Sequence, residues 1–419
     1  MTATDADLGA RVLALADALA RHSDEPGRLT RLYLSPAHCA AARTVHDMME
    51  TAGLAARIDA AGNVVGRWGP AGAPALILGS HIDTVVDAGR YDGNLGVLCS
   101  LLAAENLVRR GASLPFALEV VAFGDEENVR FPTALSTANA LAGRYDPAWL
   151  DGRDGDGVRL ADALAAFGGD PAGIPALARR PDDVFGYLEV HIEQGPVLEA
   201  RDAPLGVVTA IAGITRARAR VTGVAGHAGT VPMDLRRDAV AAVAEMTLAI
   251  ERLARERPGT VATVGRVEVR PGAVNVIAGA VDFTIDARAP ADPARRALVA
   301  AVTEACEAIA GRRGVGLGIE PVMDLPATPM DPRLMAALET GAGTLGLDPP
   351  ALPSGAGHDA SAMATIGPAA MLFVRCRGGV SHNPAESITA ADADLAVRTL
   401  IGAIEVLAIE GLAIETPAR

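Results

Sequence analysis

Aromatic residues make up only 3% of this sequence, although half of it is apolar. Any core must therefore be aliphatic, built from Ala, Val and Leu. At 419 residues the chain suits two domains, or one domain carrying a large insertion. Cysteine is equally sparse. Cys39, Cys99, Cys306 and Cys376 form no C-x-x-C pair and sit in apolar surroundings. That excludes a disulfide framework and a thiolate metal site, and it fits a reducing compartment. No apolar run approaches the roughly 20 residues that span a bilayer, so no membrane partner is expected. The N-terminal MTATDADLGARVLALADALARH lacks the basic start, apolar run and cleavage site of a signal peptide, and its apolar positions recur at helical spacing. The expected location is the cytoplasm. Basic residues are outnumbered, 37 against 51 acidic, for a net charge of −14 with no basic stripe. Such a surface repels phosphate backbones and excludes a nucleic-acid partner. Also missing are a G-x-S-x-G elbow, a P-loop and a G-x-G-x-x-G opening a helix.

What is present begins with alternation. Residues 37–53 and 94–110 read as helices. Ala75–Gly79 and Phe116–Phe123 read as short strands buried on both faces. This pattern predicts an α/β sheet, with polar motifs at the carboxyl ends of its strands. Residues 150–183 are an excursion rich in Gly, Asp and Pro around the short helical stretch Leu160–Phe167, and residues 186–192 return as a strand. From about residue 213 the pattern changes. Arg216–Val224 alternates apolar and polar, and a helix follows at about 235–256. Thr260–Arg270 and Asn275–Arg288 read as strands around a Pro-Gly turn at 271–272. A helix at about 292–312 and a strand, Gly316–Met323, complete the order β-α-β-β-α-β. That order predicts an inserted ferredoxin-like α+β domain. The expected division is 1–212 and 328–419 for one domain, with 213–327 inserted.

Of eight histidines, His22, His38 and His46 have no polar motif around them and read as surface or satisfied core. His81, His191, His227, His358 and His382 all lie in Gly- or Pro-punctuated polar stretches. In GSHIDT, His81 and Asp83 are two apart on an extended chain and share one face. His81 can bind a metal while Asp83 orients its ring. Asp92 follows in GRYDG, just before a Gly and a helix. Alone it would read as a turn or N-cap residue, but beside His81 it reads as a ligand able to bridge two cations. In VVAFGDEEN, Glu126 and Glu127 end a buried strand, so neighbouring side chains should point to opposite sides. One should bind metal while the other faces substrate as acid and base. Burial should raise its proton affinity toward neutrality. YLEVHIEQGP supplies His191 and Gln194, and GVSHNPAES supplies His382. Together these make a hard nitrogen and oxygen ligand set without sulfur. It suits two divalent cations such as Zn, Mn, Co or Ni, which can both activate water and polarise a carbonyl.

GSHIDT, GRYDG, the Glu-Glu pair, HIEQGP, GHAGT, SGAGHD and SHNPAE stand in the order found in M20-type metallohydrolases. The chain resembles most closely the branch of N-carbamoyl-amino-acid amidohydrolases, β-ureidopropionases and allantoate amidohydrolases, from about residue 60 to 390. The resemblance implies an α/β, mixed-sheet dinuclear catalytic domain with an inserted domain that mediates homodimerisation. In that family, residues of the inserted domain can reach the partner's active site. It further implies that His81, Asp92, Glu127, His191 and His382 are metal ligands, with Asp92 bridging. Glu126 is then the general base and Asp83 its catalytic companion. Gln194, His227, Asn275, Arg288 and His358 would line the substrate pocket, with Arg288 as carboxylate clamp. The expected reaction is cleavage of a C–N bond in a small ureido acid, with release of ammonia. Allantoate is the leading substrate by the texture of GRYDGNLGV, EENVRFPTALS and LPSGAGHD. N-carbamoyl-L-amino acids and N-carbamoyl-β-alanine present the same ureido group and carboxylate and are the alternative. A non-catalytic binding protein of the same fold is the reading from another class, and an intact Glu126 counts against it.

Overall fold

The computed structural model describes residues 7–414, with side chains through residue 410. The first six residues of the N-terminal reading lie outside the described residues. In chain order the strands are β1 (Ala55–Ile58), β2 (Val64–Trp68), β3 (Ala75–His81), β4 (Ala117–Phe123), β5 (Val184–Ile192) and β6 (Leu205–Ile211). Then come β7 (Gly213–Thr222), β8 (Gly226–His227), β9 (Val261–Thr263), β10 (Val267–Arg270), β11 (Val276–Ile277), β12 (Ala280–Ala289), β13 (Gly316–Leu325) and β14 (Thr328–Pro329). The last two are β15 (Ala351–Ser354) and β16 (Ala369–Val374). The chain divides into two compact units. Among the described residues, one comprises 7–209, 330–352 and 357–414, and the other 210–329 and 353–356.

The sheet of the first unit runs β1-β2-β4-β3-β5-β16-β6, with β15 beside β6. Its centre is parallel: β4 with β3, β3 with β5, and β5 with β16. Its flanks, β1 with β2, β2 with β4 and β16 with β6, are antiparallel. The sheet is therefore mixed. Every residue of β3 and β4 is buried, as unbroken runs such as ALILGSH and ALEVVAF require. The helix Asn94–Arg109 is buried along most of its surface. It packs with Leu8–Leu19 and against Ala390–Ile414, which also contacts Pro332–Gly343. Leu, Val and Ala dominate this core. No helix among the described residues is long and apolar enough to cross a membrane.

In the second unit an antiparallel sheet runs β10-β12-β7-β13, with β9 also paired to β12. Along β12 burial alternates strictly. Val281, Phe283, Ile285, Ala287 and Ala289 face inward, against the helices Ala239–Arg255 and Asp292–Arg313. The other face carries cross-strand ion pairs, Arg216 with Asp286 and Arg220 with Asp282. Two strands expected to be continuous are broken. Thr260–Arg270 splits into β9 and β10, and Asn275–Arg288 into β11 and β12. The two parts of each pair with different partners or at different positions. β9 meets residues 286–288 of β12, β10 meets residues 280–283, and β11 leaves the sheet to pair with β8. A periodicity of two fits either arrangement, because pairing partners are not written in the alternation.

Candidate metal centre

The carboxyl ends of β3, β4 and β5 converge. His81 is the last residue of β3 and His191 the penultimate residue of β5, both almost wholly buried. Their rings stack with centroids 5.7 Å apart. Nδ1 of His81 donates to the Asp83 carbonyl at 3.0 Å, and Nδ1 of His191 to the Ile192 carbonyl at 2.9 Å. Those contacts assign the proton to Nδ1 in each neutral ring and leave a lone pair on each Nε2. The two Nε2 atoms face each other at 3.5 Å.

Asp92 stands opposite them on the turn before the helix Asn94–Arg109. Its Oδ1 lies 3.2 Å from His191 Nε2 and 3.8 Å from His81 Nε2. Its other oxygen, Oδ2, lies 3.2 Å from Nε2 of His382. Glu127 Oε1 is 3.7 Å from that same nitrogen, and Glu126 Oε2 is 4.0 Å from His81 Nε2. Among the described residues four sets of ligand atoms lie within 4.8 Å of one another: His81, Asp92 and His191; Asp92, Glu127 and His382; His81, Glu126 and Glu127; and, behind His191, Glu189, His191 and His358. Asp92 belongs to two of them, with one oxygen on each side. Two facing imidazole lone pairs ringed by carboxylates repel one another unless a cation lies among them. The donor set, nitrogen and carboxylate oxygen without sulfur, fits divalent cations of the zinc and manganese type.

Backbone geometry makes room for this packing. Gly93 has φ +67°, and a Cβ there would fall 2.4 Å from the His81 ring. No larger residue fits beside Asp92 without displacing the imidazole.

Asp83 does more than orient His81. Its carboxylate lies 3.4 Å from His81 Nδ1, while it is the Asp83 carbonyl that makes the closer contact to the ring. The carboxylate oxygens accept the backbone N–H groups of Glu126 at 3.2 Å and Glu127 at 3.1 Å. The glutamate pair does not end the strand, as the sequence suggests. β4 stops at Phe123, and the pair sits three and four residues further on, in a loop that Asp83 holds. Strand alternation therefore does not govern where the two side chains point. Burial raises Glu126 well above the usual carboxylate range and brings Glu127 up to about 7, with neighbouring carboxylates adding to the effect. For Asp92 burial acts in the same sense, but the facing His191, His382 and His81 rings, when protonated, outweigh it and hold the group well below its ordinary value.

Gln194 donates from Nε2 to Asp92 Oδ2 at 3.0 Å and to Ser381 Oγ at 3.1 Å. Ser381 Oγ in turn donates to Asp92 Oδ2 at 2.8 Å. Glu386 Oε1 accepts the backbone N–H of Tyr91 at 2.7 Å and of Asp92 at 3.1 Å. Buried Glu189 accepts from Ser80 Oγ, Tyr187 OH and the Ala360 N–H, all at 3.0–3.1 Å. Ser381, Glu386 and Glu189 escape the sequence reading, although a signal was there. Ser381 and Glu386 flank His382 inside SHNPAES, and Glu189 precedes His191 by two on the same strand.

His358 is buried, its ring edge-on to His191 with centroids 4.5 Å apart, and burial lowers its proton affinity well below that of free imidazole. His227, Asn275 and Arg288 belong to the second unit. His227 is exposed on β8, and Asn275 is exposed just before β11, its carbonyl accepting the Ala228 N–H at 2.9 Å. Arg288 donates from Nε and Nη2 to the Asp286 carboxylate at 2.7 and 3.0 Å, and from Nη1 to the Gly355 carbonyl at 2.6 Å.

Residues 77–406 match the description of peptidase family M20/M25/M40. A probable allantoate deiminase of Oryza sativa subsp. japonica is 40% identical, over 94% of this chain and 88% of the relative. An N-carbamoyl-L-amino acid amidohydrolase of Geobacillus stearothermophilus is 39% identical, over 89% of this chain and 92% of its own length. The crystal structure of an amidase of the hydantoinase/carbamoylase family from Burkholderia multivorans superposes with a TM-score of 0.90 at 32% identity, covering 96% of this chain and 98% of that one. The chain belongs to peptidase family M20/M25/M40.

Proposed function

We propose that this protein is a two-cation amidohydrolase that cleaves a C–N bond of allantoate with release of ammonia. The observation that carries the reading is Asp92. Its Oδ1 faces His81 and His191 and its Oδ2 faces His382, while Glu127 approaches that same histidine. In this reading His81, Asp92 and His191 would hold one divalent cation, and Asp92, Glu127 and His382 would hold the other. Zn, Mn, Co and Ni all suit the donor set. When bound, such cations would lower the pKa of water to about 7 and polarise a carbonyl.

The chain's own residues supply the rest. Glu126 takes the proton from water and delivers it to the departing nitrogen. A raised proton affinity suits a group that must both accept and donate near neutral pH. Asp83 fixes Glu126 and Glu127 through their amides. Gln194 and Ser381 steady the shared carboxylate of Asp92. By the family resemblance Gln194, His227, Asn275 and His358 would line the substrate pocket, with Arg288 as its carboxylate clamp.

A second reading, hydrolysis of N-carbamoyl-L-amino acids or N-carbamoyl-β-alanine, is favoured by the 39% identity to the N-carbamoyl-L-amino acid amidohydrolase. Ammonia release from allantoate, N-carbamoyl-alanine and N-carbamoyl-β-alanine, with and without added Mn, separates the two. Turnover of allantoate at less than a tenth of the best carbamoyl amino acid rejects the first reading. No turnover of any of them rejects both.

A homodimer through the second unit belongs to the same reading. Supporting it, β13 is an edge strand whose Val322, Met323 and Leu325 are exposed. A cytoplasmic location also belongs to it, supported by four free thiols, three of them buried.

A further inference from the structure

We infer that Arg31 is a positioning residue of the cation site, setting the spacing between the turn that follows His81 and the turn that carries Asp92. The inference rests on the metal reading above.

Arg31 precedes the residues matched by the family description, and nothing in its local sequence marks it. Its guanidinium is wholly buried and makes no ion pair with a carboxylate among the described residues. Its donors are spent on neutral oxygens instead. Nε donates to the Ile82 carbonyl at 2.6 Å, Nη1 to the Leu19 and His22 carbonyls at 2.8 and 3.2 Å, and Nη2 to Asn94 Oδ1 at 2.6 Å. Ile82 lies between His81 and Asp83. Asn94 passes the contact on, since its Nδ2 donates to the Asp92 carbonyl at 3.1 Å. One planar cation therefore grips both turns.

The backbone around Arg31 reinforces the grip. Its N–H donates to Thr84 Oγ1 at 2.8 Å, and its carbonyl accepts the Thr84 N–H at 3.0 Å. Leu29 forms an antiparallel bridge with Ala88. Thr30 Oγ1 accepts the Asp87 N–H at 3.0 Å. Residues 29–31 thus lie as a strap along the loop between His81 and Asp92. Asp83, on that loop, holds the amides of Glu126 and Glu127. Displacing Arg31 should be felt at four of the proposed metal and acid groups together. A lysine cannot substitute, because a single ammonium cannot reach separated acceptors on both turns at once.

The test is cation affinity of the metal-stripped full chain, measured by competition of Mn2+ alone or Zn2+ alone against a chromogenic chelator. For Arg31→Lys the expected result is wild-type secondary structure with affinity about 10- to 100-fold weaker, as loss of a ligand-orienting partner typically gives. At saturating Mn2+, kcat should fall while KM stays within about twofold. Wild-type affinity in folded Arg31→Lys overturns the inference, whatever its melting temperature. If Arg31→Lys does not fold, Asn94→Ala decides. It removes only the arm to Asp92, so affinity at least about tenfold weaker supports the inference and unchanged affinity overturns it. A wild-type chain that binds neither cation sinks the metal reading itself, and this inference with it.

Discussion

The Asp83 carboxylate accepts the backbone N–H of Glu127 at 3.1 Å, and its second oxygen takes the N–H of Glu126 at 3.2 Å. An amide side chain in its place offers one acceptor and one donor. Asp83→Asn therefore sets a donor against one of those N–H groups and frees the loop. Cation affinity should weaken about 10- to 100-fold, with kcat falling alongside it. Isothermal titration with Mn2+ measures the first effect. Unchanged affinity would mean that the loop is held by other contacts.

Glu126→Gln should keep the cations and the substrate and lose turnover. The side chain lies 4.0 Å from His81 and is only 12% exposed. General-base roles are worth about 100- to 10,000-fold in rate. Metal content by plasma emission should match the wild type while kcat drops by that factor. A variant with near-wild-type kcat removes Glu126 from the role of base.

Arg288→Lys tests the carboxylate clamp. In this structure one edge of the guanidinium is occupied by Asp286 and Nη1 also bonds the Gly355 carbonyl, so its orientation is set from within its own unit. A lysine keeps the charge and loses the fork. The loss should fall mainly on KM, by about tenfold or more, as removal of substrate binding energy does. Wild type should discriminate strongly between the acid substrate and its neutral amide analogue, and the variant weakly. Equal discrimination by both proteins places the carboxylate elsewhere.

His38 gives a pH dependence of stability. It is fully buried, stacked on Phe167 with centroids 5.2 Å apart, and its Nε2 finds no hydrogen-bond partner among the described residues. Burial lowers its pKa from 6.5 to about 4. Between those values the unfolded chain takes up a proton that the folded chain refuses, so stability falls as pH drops from 6.5 toward 4. The full shift corresponds to about 3 kcal/mol. His38→Leu should lower the melting temperature at pH 7, because the Leu34 N–H loses its acceptor. It should also flatten the acid side of the melting profile. A variant with the same acid slope as wild type shows that other groups set it.

Much of the centre was legible before any fold was known. His81, Asp92, His191 and His382 stand in polar motifs, and the buried runs before His81 and His191 put those two at strand ends, because apolar runs and side-chain chemistry are local properties. The inward face of the second unit's sheet was legible for the same reason, since alternating burial along a strand such as β12 is written residue by residue. Where a strand breaks was not, and β9 through β12 show it. Nor were the contacts that hold the proposed ligands. The Tyr91 N–H meets Glu386 across 295 residues, and Ser381 meets Asp92 across 289. Periodicity carries no information over such distances. The loop seat of Glu126 and Glu127, the double acceptance by Asp83 and the grip of Arg31 on two turns were likewise decided by tertiary structure. Each depends on which buried polar groups the packed sheet leaves facing one another, and each such group must find its partner wherever the fold puts one.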